Sequence, residues 1–248
     1  MLKDHQDAFG HEMYDYFMSN EGRQDIIEIV ERDDGYIDVS EGAKVYFSEY
    51  KDWPSHEKKA MRYVRDKVLD IGSGAGRHSL YLQRKGLGVL GIDNSPLSIE
   101  VCKLRGLRNA QVISINQISS KLGVFDTILM LGNNFGLFGS IEAARRLLKK
   151  LSKMTSENGR IIAESNDIYR TKVPEHLSYH EFNRKRGRMA GQIRLRVRYK
   201  KYATPWFDYL MVSKEEMEDI LDGTDWEVGK FIDSDGSLYI AIIDKKRL

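Results

Sequence analysis

The sequence predicts an α/β fold: a mostly parallel sheet with helices on both faces. Two observations carry this. Between residues 67 and 163, short apolar runs alternate with helix-length segments, and Gly, Asn or Asp stands at the junctions. The first run, Lys67-Val-Leu-Asp-Ile71, passes directly into Gly72-Ser-Gly74-Ala-Gly76. A buried strand entering a glycine-rich turn is how such folds let backbone approach a ligand closely.

Each element follows from its local sequence. Residues 1–65 are expected as an N-terminal helical cap. Positions 2–18 are rich in apolar and aromatic residues, and Ile26, Ile27, Ile29 and Val30 cluster before an Asp33-Asp34-Gly35 turn. Residues 36–50 have no clean period, and Pro54 suits the first turn of a helix to about Arg65. The first core strand, 68–71, is followed by a helix over 77–85 that Gly86 closes. A strand over 88–92 ends at Asp93, and Ser95-Pro96 supplies the N-cap and first residue of a helix to about Arg105. Strands over 111–115 and 125–131, a helix over 141–155, a turn at Asn158-Gly159 and a strand over 160–163 complete the alternation.

Beyond Glu164 the alternation stops. Residues 166–184 read as irregular, 191–202 as a strand with one basic face, and 206–212 as its partner. Ser213-Lys-Glu-Glu216 is a capping box opening a helix to about Leu221, and 226–232 with 238–243 form a terminal hairpin. The expected organisation is one domain: a cap over 1–65, a core from 66–165 and 213–248, and an inserted β-hairpin over 166–212 forming part of a substrate lid.

Composition narrows the setting. With 248 residues, 41% hydrophobic and 31% charged, the chain is an ordinary globular protein. It has no apolar run of the roughly 20 residues that cross a bilayer and no apolar leader, so a cytoplasmic protein without membrane partners is expected. The one cysteine, Cys102, excludes an internal disulfide framework and a cysteine-built metal site. It falls in the apolar pattern Ile99, Val101, Leu104, so it reads as a buried helix residue.

The glycine turn limits the ligand. Its spacing is G-x-G-x-G, unlike the dinucleotide G-x-G-x-x-G, and the Lys-Ser/Thr of a phosphate-binding P-loop is absent. Asp70, two residues before the first glycine, repels a pyrophosphate and favours a cationic ligand. Asp93, at the end of the second core strand, stands where ribose hydroxyls are gripped.

Taken together, V-L-D-I-G-S-G-A-G-R-H and V-L-G-I-D-N-S-P resemble the class I S-adenosylmethionine-dependent methyltransferases, over about residues 67–165. The resemblance implies a Rossmann-like three-layer αβα sandwich with a seven-stranded, mostly parallel sheet and an antiparallel terminal hairpin. It implies S-adenosylmethionine as cofactor, with Gly72 and Gly74 along its methionine part, Asp70 supporting the loop, and Asp93 with Asn94 at the ribose. Asn116, Gln117 and Ile118 take the place that contacts adenine, an amide standing where the family often has an acid. Leu131 and Gly132 fall beside the methyl donor, and Asn133 and Asn134 at the acceptor. Tyr50, Trp53 and Trp206 are further acceptor-site candidates.

What is missing also informs. Gly132-Asn-Asn-Phe-Gly136 replaces the N-P-P-Y or D-P-P-Y of adenine N6 and glutamine methylases, and no C-x-x-x-C-x-x-C supports radical chemistry. Direct methyl transfer to an N or O nucleophile of a small molecule is therefore expected. It runs on proximity and alignment, and no residue is assigned as a catalytic base. Two alternatives remain: an RNA or protein acceptor held by the basic strand 184–201, and a non-catalytic cofactor-binding protein. The near-neutral formal charge of +2 favours reading that strand as a solvated sheet edge over a phosphate-binding face. His176 and His180, four apart, would share a helix face as a base or metal pair, but lack a clear third ligand. His78, at a helix start, reads as a packing residue.

Overall fold

The computed structural model describes residues 1–19 and 26–247. In chain order its elements are α1 (Ala8–Met18), β1 (Ile29–Arg32), β2 (Ile37–Val39), α2 (Lys44–Phe47), α3 (Ser55–Ala60), β3 (Lys67–Ile71), α4 (Arg77–Arg84), β4 (Gly88–Asp93), α5 (Pro96–Leu104), β5 (Ala110–Val112), β6 (Phe125–Met130), α6 (Ile141–Ser152), β7 (Thr155–Asn166), α7 (Pro174–Lys185), β8 (Gln192–Tyr199), β9 (Tyr202–Ala203), β10 (Phe207–Leu210), α8 (Lys214–Leu221), β11 (Trp226–Asp233) and β12 (Leu238–Lys245). The principal sheet has seven strands in the order β11-β12-β7-β6-β3-β4-β5. The β4–β5 and β6–β7 pairs are parallel, while β12 runs antiparallel to both β7 and β11. This is the expected three-layer α/β architecture with its antiparallel end.

The chain forms two compact units. The first comprises Met1–Trp53, Leu69–Gln117 and Arg194–Phe207. Here Ser95 caps α5 by accepting the Ser98 N–H at 2.9 Å, with Pro96 in the first turn, as the sequence predicts. Leu80, Ile99, Cys102, Leu107 and Ala110 form the apolar seam between α4, α5 and β5. Helix α1 packs on α5, and Asp7 joins them: its Oδ1 accepts the Gly10 N–H and its Oδ2 the Leu97 N–H, each at 3.1 Å. The second unit comprises Pro54–Val68, Ile118–Ile193 and Asp208–Leu248. Its strands β6 and β7 carry buried apolar runs (Ile128, Leu129, Ile161, Ile162), as a sheet covered on both faces requires. Leu147, Leu148 and Leu151 of α6 are buried in the same unit. The wholly buried Trp226 donates its indole N–H to the Leu148 carbonyl at 3.0 Å.

Three segments differ from the sequence expectation. The first 65 residues contain helices but also a β1–β2 hairpin, which pairs antiparallel with β8 to start a second sheet. Ile29, Val30 and Val39 are β-branched, and the Asp33-Asp34-Gly35 turn joins strands where helices were expected; the part of that expectation on residues 20–25 lies outside the described residues. Residues 174–185, expected as irregular, form α7, because Pro174 occupies the helix start, where its missing N–H costs nothing. Strand β7 begins at Thr155 instead of 160 and so takes in the Asn158-Gly159 turn.

Candidate active site

In the first unit the glycine loop is set by backbone that only glycine adopts easily. Gly72, Gly74 and Gly76 have φ of 73°, 54° and 80°. The Gly72 and Ser73 N–H groups donate to the Ile92 carbonyl at 2.9 and 3.1 Å, tying the loop to β4. Asp70 is buried and accepts the Ser79 hydroxyl at 2.6 Å, so it fastens the loop to α4; burial raises its pKa. Cys102 lies beneath the loop, donating its thiol to the Gly74 carbonyl at 3.1 Å, and burial pushes that thiol up to about 12. It stays protonated at neutral pH, which removes it as a nucleophile.

Asp93 ends β4 with both carboxylate oxygens in use: Oδ2 accepts the Gly74 N–H and Oδ1 the Ser95 N–H, each at 3.0 Å. Burial raises its pKa to about 6 against these bonds, which lower it, and the neighbouring Asp7 and Asp70 charges add to the rise. A carboxylate oxygen has more than one lone pair, so these contacts leave Asp93 able to accept ligand hydroxyls. Asn94 is exposed, and its carbonyl accepts the Leu2 N–H at 3.3 Å. Asn116 and Gln117 lie on an exposed 3-10 turn, Ile115–Gln117, with Gln117 Oε1 accepting the Ser114 N–H at 3.3 Å.

The N-terminal elements of this unit cover the loop. A Cβ on Gly74 would lie 3.4 Å from Met13 Cε and 3.8 Å from the Tyr46 ring. Behind Tyr46 sits a buried acid pair. Glu28 accepts the Tyr46 hydroxyl at 3.0 Å and the Ser40 hydroxyl, and Glu12 is wholly buried on α1 with neither carboxylate oxygen hydrogen-bonded. Burial first, then Glu28, pushes the Glu12 carboxyl up to about 10, so it holds its proton at neutral pH. Composition and spacing do not single out either glutamate.

The other half of the predicted set belongs to the second unit. Ile118 and Leu131 are core residues, 1% and 3% exposed, whereas Gly132 is exposed with φ of 71°. Asn133 is left-handed (φ 62°) and precedes the 3-10 turn Asn134–Phe138. Two residues unmarked by the sequence fix this turn. Glu164, at the end of β7, accepts the Gly132 and Asn133 N–H groups on Oε2 at 2.7 and 2.9 Å, and its Oε1 lies 2.9 Å from His56 Nε2. Tyr209 donates its hydroxyl to the Asn133 carbonyl, and a Cβ on Gly136 would overlap its ring.

Three further candidates, Tyr50, Trp53 and Trp206, belong to the first unit. Tyr50 stacks on Tyr81 at 4.5 Å, and Trp53 packs edge-on against His78 at 4.7 Å while donating to the Ser48 carbonyl, so both cover α4. Trp206 carries the Arg196 guanidinium on its face at 4.8 Å. The basic segment is largely partnered: Arg196 forks onto Glu31 at 2.8 and 3.0 Å, Arg198 reaches Glu31 at 3.4 Å, Arg188 pairs with Asp208 at 2.8 Å, and Lys200 pairs with Asp15. Arg196→Ser is therefore expected to lower stability by about 0.5–1 kcal/mol in urea unfolding, leaving retention on an RNA column unchanged. Loss of RNA retention at constant stability would restore the phosphate-binding reading. His176 bonds to Thr171 Oγ1 at 3.2 Å and His180 is buried on the same helix, α7. Neither belongs to a cluster of metal-ligating side chains among the described residues.

The loop fits S-adenosylmethionine: the acids Asp70 and Asp93 flank glycine backbone held at positive φ. Comparison with known proteins agrees. Residues 68–159 match the model of a family described as a methyltransferase domain. Over 113 residues the chain is 28% identical to glycine/sarcosine N-methyltransferase of Parasynechococcus marenigrum (strain WH8102), covering 42% of this chain. The match takes in only 39% of that relative's length. Among solved structures, a SAM-dependent methyltransferase from Bacteroides fragilis, in complex with S-adenosyl-L-homocysteine, superposes with a TM-score of 0.82 at 26% identity, covering 99% of this chain and 98% of that one. A SAM-dependent methyltransferase from Methanosarcina mazei shares the fold with a TM-score of 0.59 at 18% identity, over 76% of this chain and 96% of that one.

Proposed function

We propose that this chain, which belongs to the class I S-adenosylmethionine-dependent methyltransferases, moves the cofactor's methyl group to a nitrogen or oxygen of a small molecule by direct displacement. The observation that carries the reading is the Gly74–Asp93 junction. One half-buried carboxylate fixes the glycine loop and keeps lone pairs for ribose hydroxyls, with the acids Asp7 and Asp70 beside it. Asp70, Gly72, Gly74, Asp93, Asn94, Asn116, Gln117, Ile118, Leu131 and Gly132 take the cofactor roles that the family resemblance gives them, and Asn133 with Asn134 the acceptor role.

When bound, S-adenosylmethionine supplies a methyl group already activated by its sulfonium. The acceptor's lone pair forms the new bond to the methyl carbon as the carbon–sulfur bond breaks with its pair to sulfur; an N–H or O–H proton, where present, leaves to water. Orientation and exclusion of competing water are then the protein's main contribution. A small acceptor is favoured by the relative named for glycine and sarcosine and by the paired state of Arg188, Arg196 and Arg198. With a single cysteine and no helix among the described residues long and apolar enough to cross a membrane, a cytoplasmic setting is proposed.

Calorimetric titration with S-adenosylhomocysteine tests the cofactor half, and absence of saturable binding would sink it. Incubation of labelled S-adenosylmethionine with fractionated cell extract tests the transfer half: label is expected in a low-molecular-weight fraction. Label on RNA or protein would move the acceptor to the other class, and binding without transfer to any fraction would leave a cofactor-binding module.

A further inference from the structure

The turn that follows β6 has its hydrogen-bonding capacity consumed in an uneven way. Two of its N–H groups, on Gly132 and Asn133, go to one oxygen of Glu164, and its Asn133 carbonyl accepts from Tyr209 and from the Gly136 N–H. No backbone donor on Gly132 or Asn133 is left for an anionic ligand. The Asn133 side-chain Oδ1 is buried and accepts no hydrogen bond. A buried amide oxygen without a donor is costly unless a ligand supplies one. The charge next to the turn is also negative: Glu164 is 2% exposed and sits against its two N–H groups. Burial and that charge push the Tyr209 hydroxyl well above the ordinary tyrosine range, so it remains a donor to Asn133. The turn therefore presents an acceptor beside an anion, which suits an N–H and opposes a carboxylate or phenolate.

We propose that Glu164, oriented by His56, is the positioning residue that holds the Gly132–Asn133 turn so that Asn133 Oδ1 receives the N–H of an amine acceptor. This rests on the methyl-transfer reading above and narrows its acceptor to an amine with at least one hydrogen. That hydrogen orients the nitrogen while its lone pair stays free to bond the methyl carbon; the proton is shed to water after transfer. Glu164 itself touches neither partner. His56 and Glu164 with Glu57 are also spaced as metal ligands, their donor atoms within 4.8 Å of one another. Both Glu164 oxygens, however, already hold three N–H contacts, and Glu57 has a partner of its own.

The test takes the extract fraction that accepts label from S-adenosylmethionine and treats half of it with N-hydroxysuccinimidyl acetate, which acylates amines and spares alcohols. Acylation is expected to abolish labelling. With untreated fraction, Glu164→Ala and Asn133→Ala are expected to lower kcat/KM at least 30-fold, while affinity for S-adenosylhomocysteine stays within about threefold. Glu164→Gln, which keeps an oxygen for both N–H groups, should recover most of the rate. Labelling that survives acylation overturns the amine assignment. A parallel loss of S-adenosylhomocysteine affinity in Glu164→Ala, or rates equal to wild type, overturns the positioning role. So does a Mn²⁺- or Zn²⁺-dependent rise in Tm that Glu164→Gln removes, since that marks a metal site. Failure of methyl transfer as such would show in the wild-type protein, which would label nothing.

Discussion

Asp93→Ala weakens S-adenosylhomocysteine binding about 100-fold, measured by calorimetry at pH 7.5. Two losses combine in this figure. A hydrogen bond to a charged acceptor contributes about 1.5–3 kcal/mol, and the Gly74 N–H loses the partner that holds the loop in its ligand-ready form. At about 1.4 kcal/mol per decade, a 100-fold change falls inside that range. Thermal stability is not expected to fall in step, because burying this carboxylate is itself unfavourable. Its pKa rises from 3.8 to about 6 on folding, so the folded state keeps a proton that the unfolded chain releases between those values. Stability contributed by Asp93 thus declines as pH rises from 3.8 to about 6 and is level above that. Ligand affinity runs the opposite way. Hydroxyls donating to the carboxylate need it ionised, so affinity falls as pH drops below about 6, approaching tenfold per pH unit, and Asp93→Asn flattens that profile. A Kd within threefold of wild type for Asp93→Ala would remove Asp93 from the cofactor site.

Much of this first half could be read from the chain because its causes are local. Three glycines at alternate positions, Ser95-Pro96 at a helix start and an acid closing an apolar run each constrain only a few neighbouring residues. The structure has the glycines at positive φ and Ser95 as the cap. Even the capping box at Ser213 lies within a span of four residues, with both of its hydrogen bonds present. The second half was hidden because its partners are remote. His56 meets Glu164 across 108 residues, and Arg196 meets Glu31 across 165. A glutamate closing Ile161-Ile-Ala looks like any strand end, and a run of arginines looks like a charged face until its acids are located. The ring contacts of Tyr50 and Trp53, with Tyr81 and His78, likewise join residues some 25–31 positions apart. The β1–β2 hairpin was missed because its strands are short and their partner, β8, lies beyond residue 190.

Glu12→Gln stabilises the protein, and the gain grows with pH. The Glu12 carboxyl passes from an ordinary 4.5 in the unfolded chain to about 10 in a wholly buried position on α1. Between those values the folded state holds a proton that the unfolded chain gives up. By linkage, stability falls as pH rises through this window, by up to about 1.36 kcal/mol per unit. Accumulated from 4.5 to 7, the cost is roughly 3 kcal/mol, an upper figure because the pair with Glu28 relaxes as it ionises. Glutamine keeps the size and neutrality of the protonated acid and has nothing to ionise. Urea unfolding of both proteins should therefore give similar stabilities near pH 4.5 and a gap of about 2–3 kcal/mol by pH 7.5. Asp70 and Asp93 also titrate upward on folding and slope both curves alike, so the difference between the two proteins isolates Glu12. Parallel pH profiles would mean that Glu12 folds in its ionised form, without the proton that burial imposes. A widening gap locates that proton under the element whose Met13 lies over Gly74, and ties the hold of α1 on the glycine loop to pH.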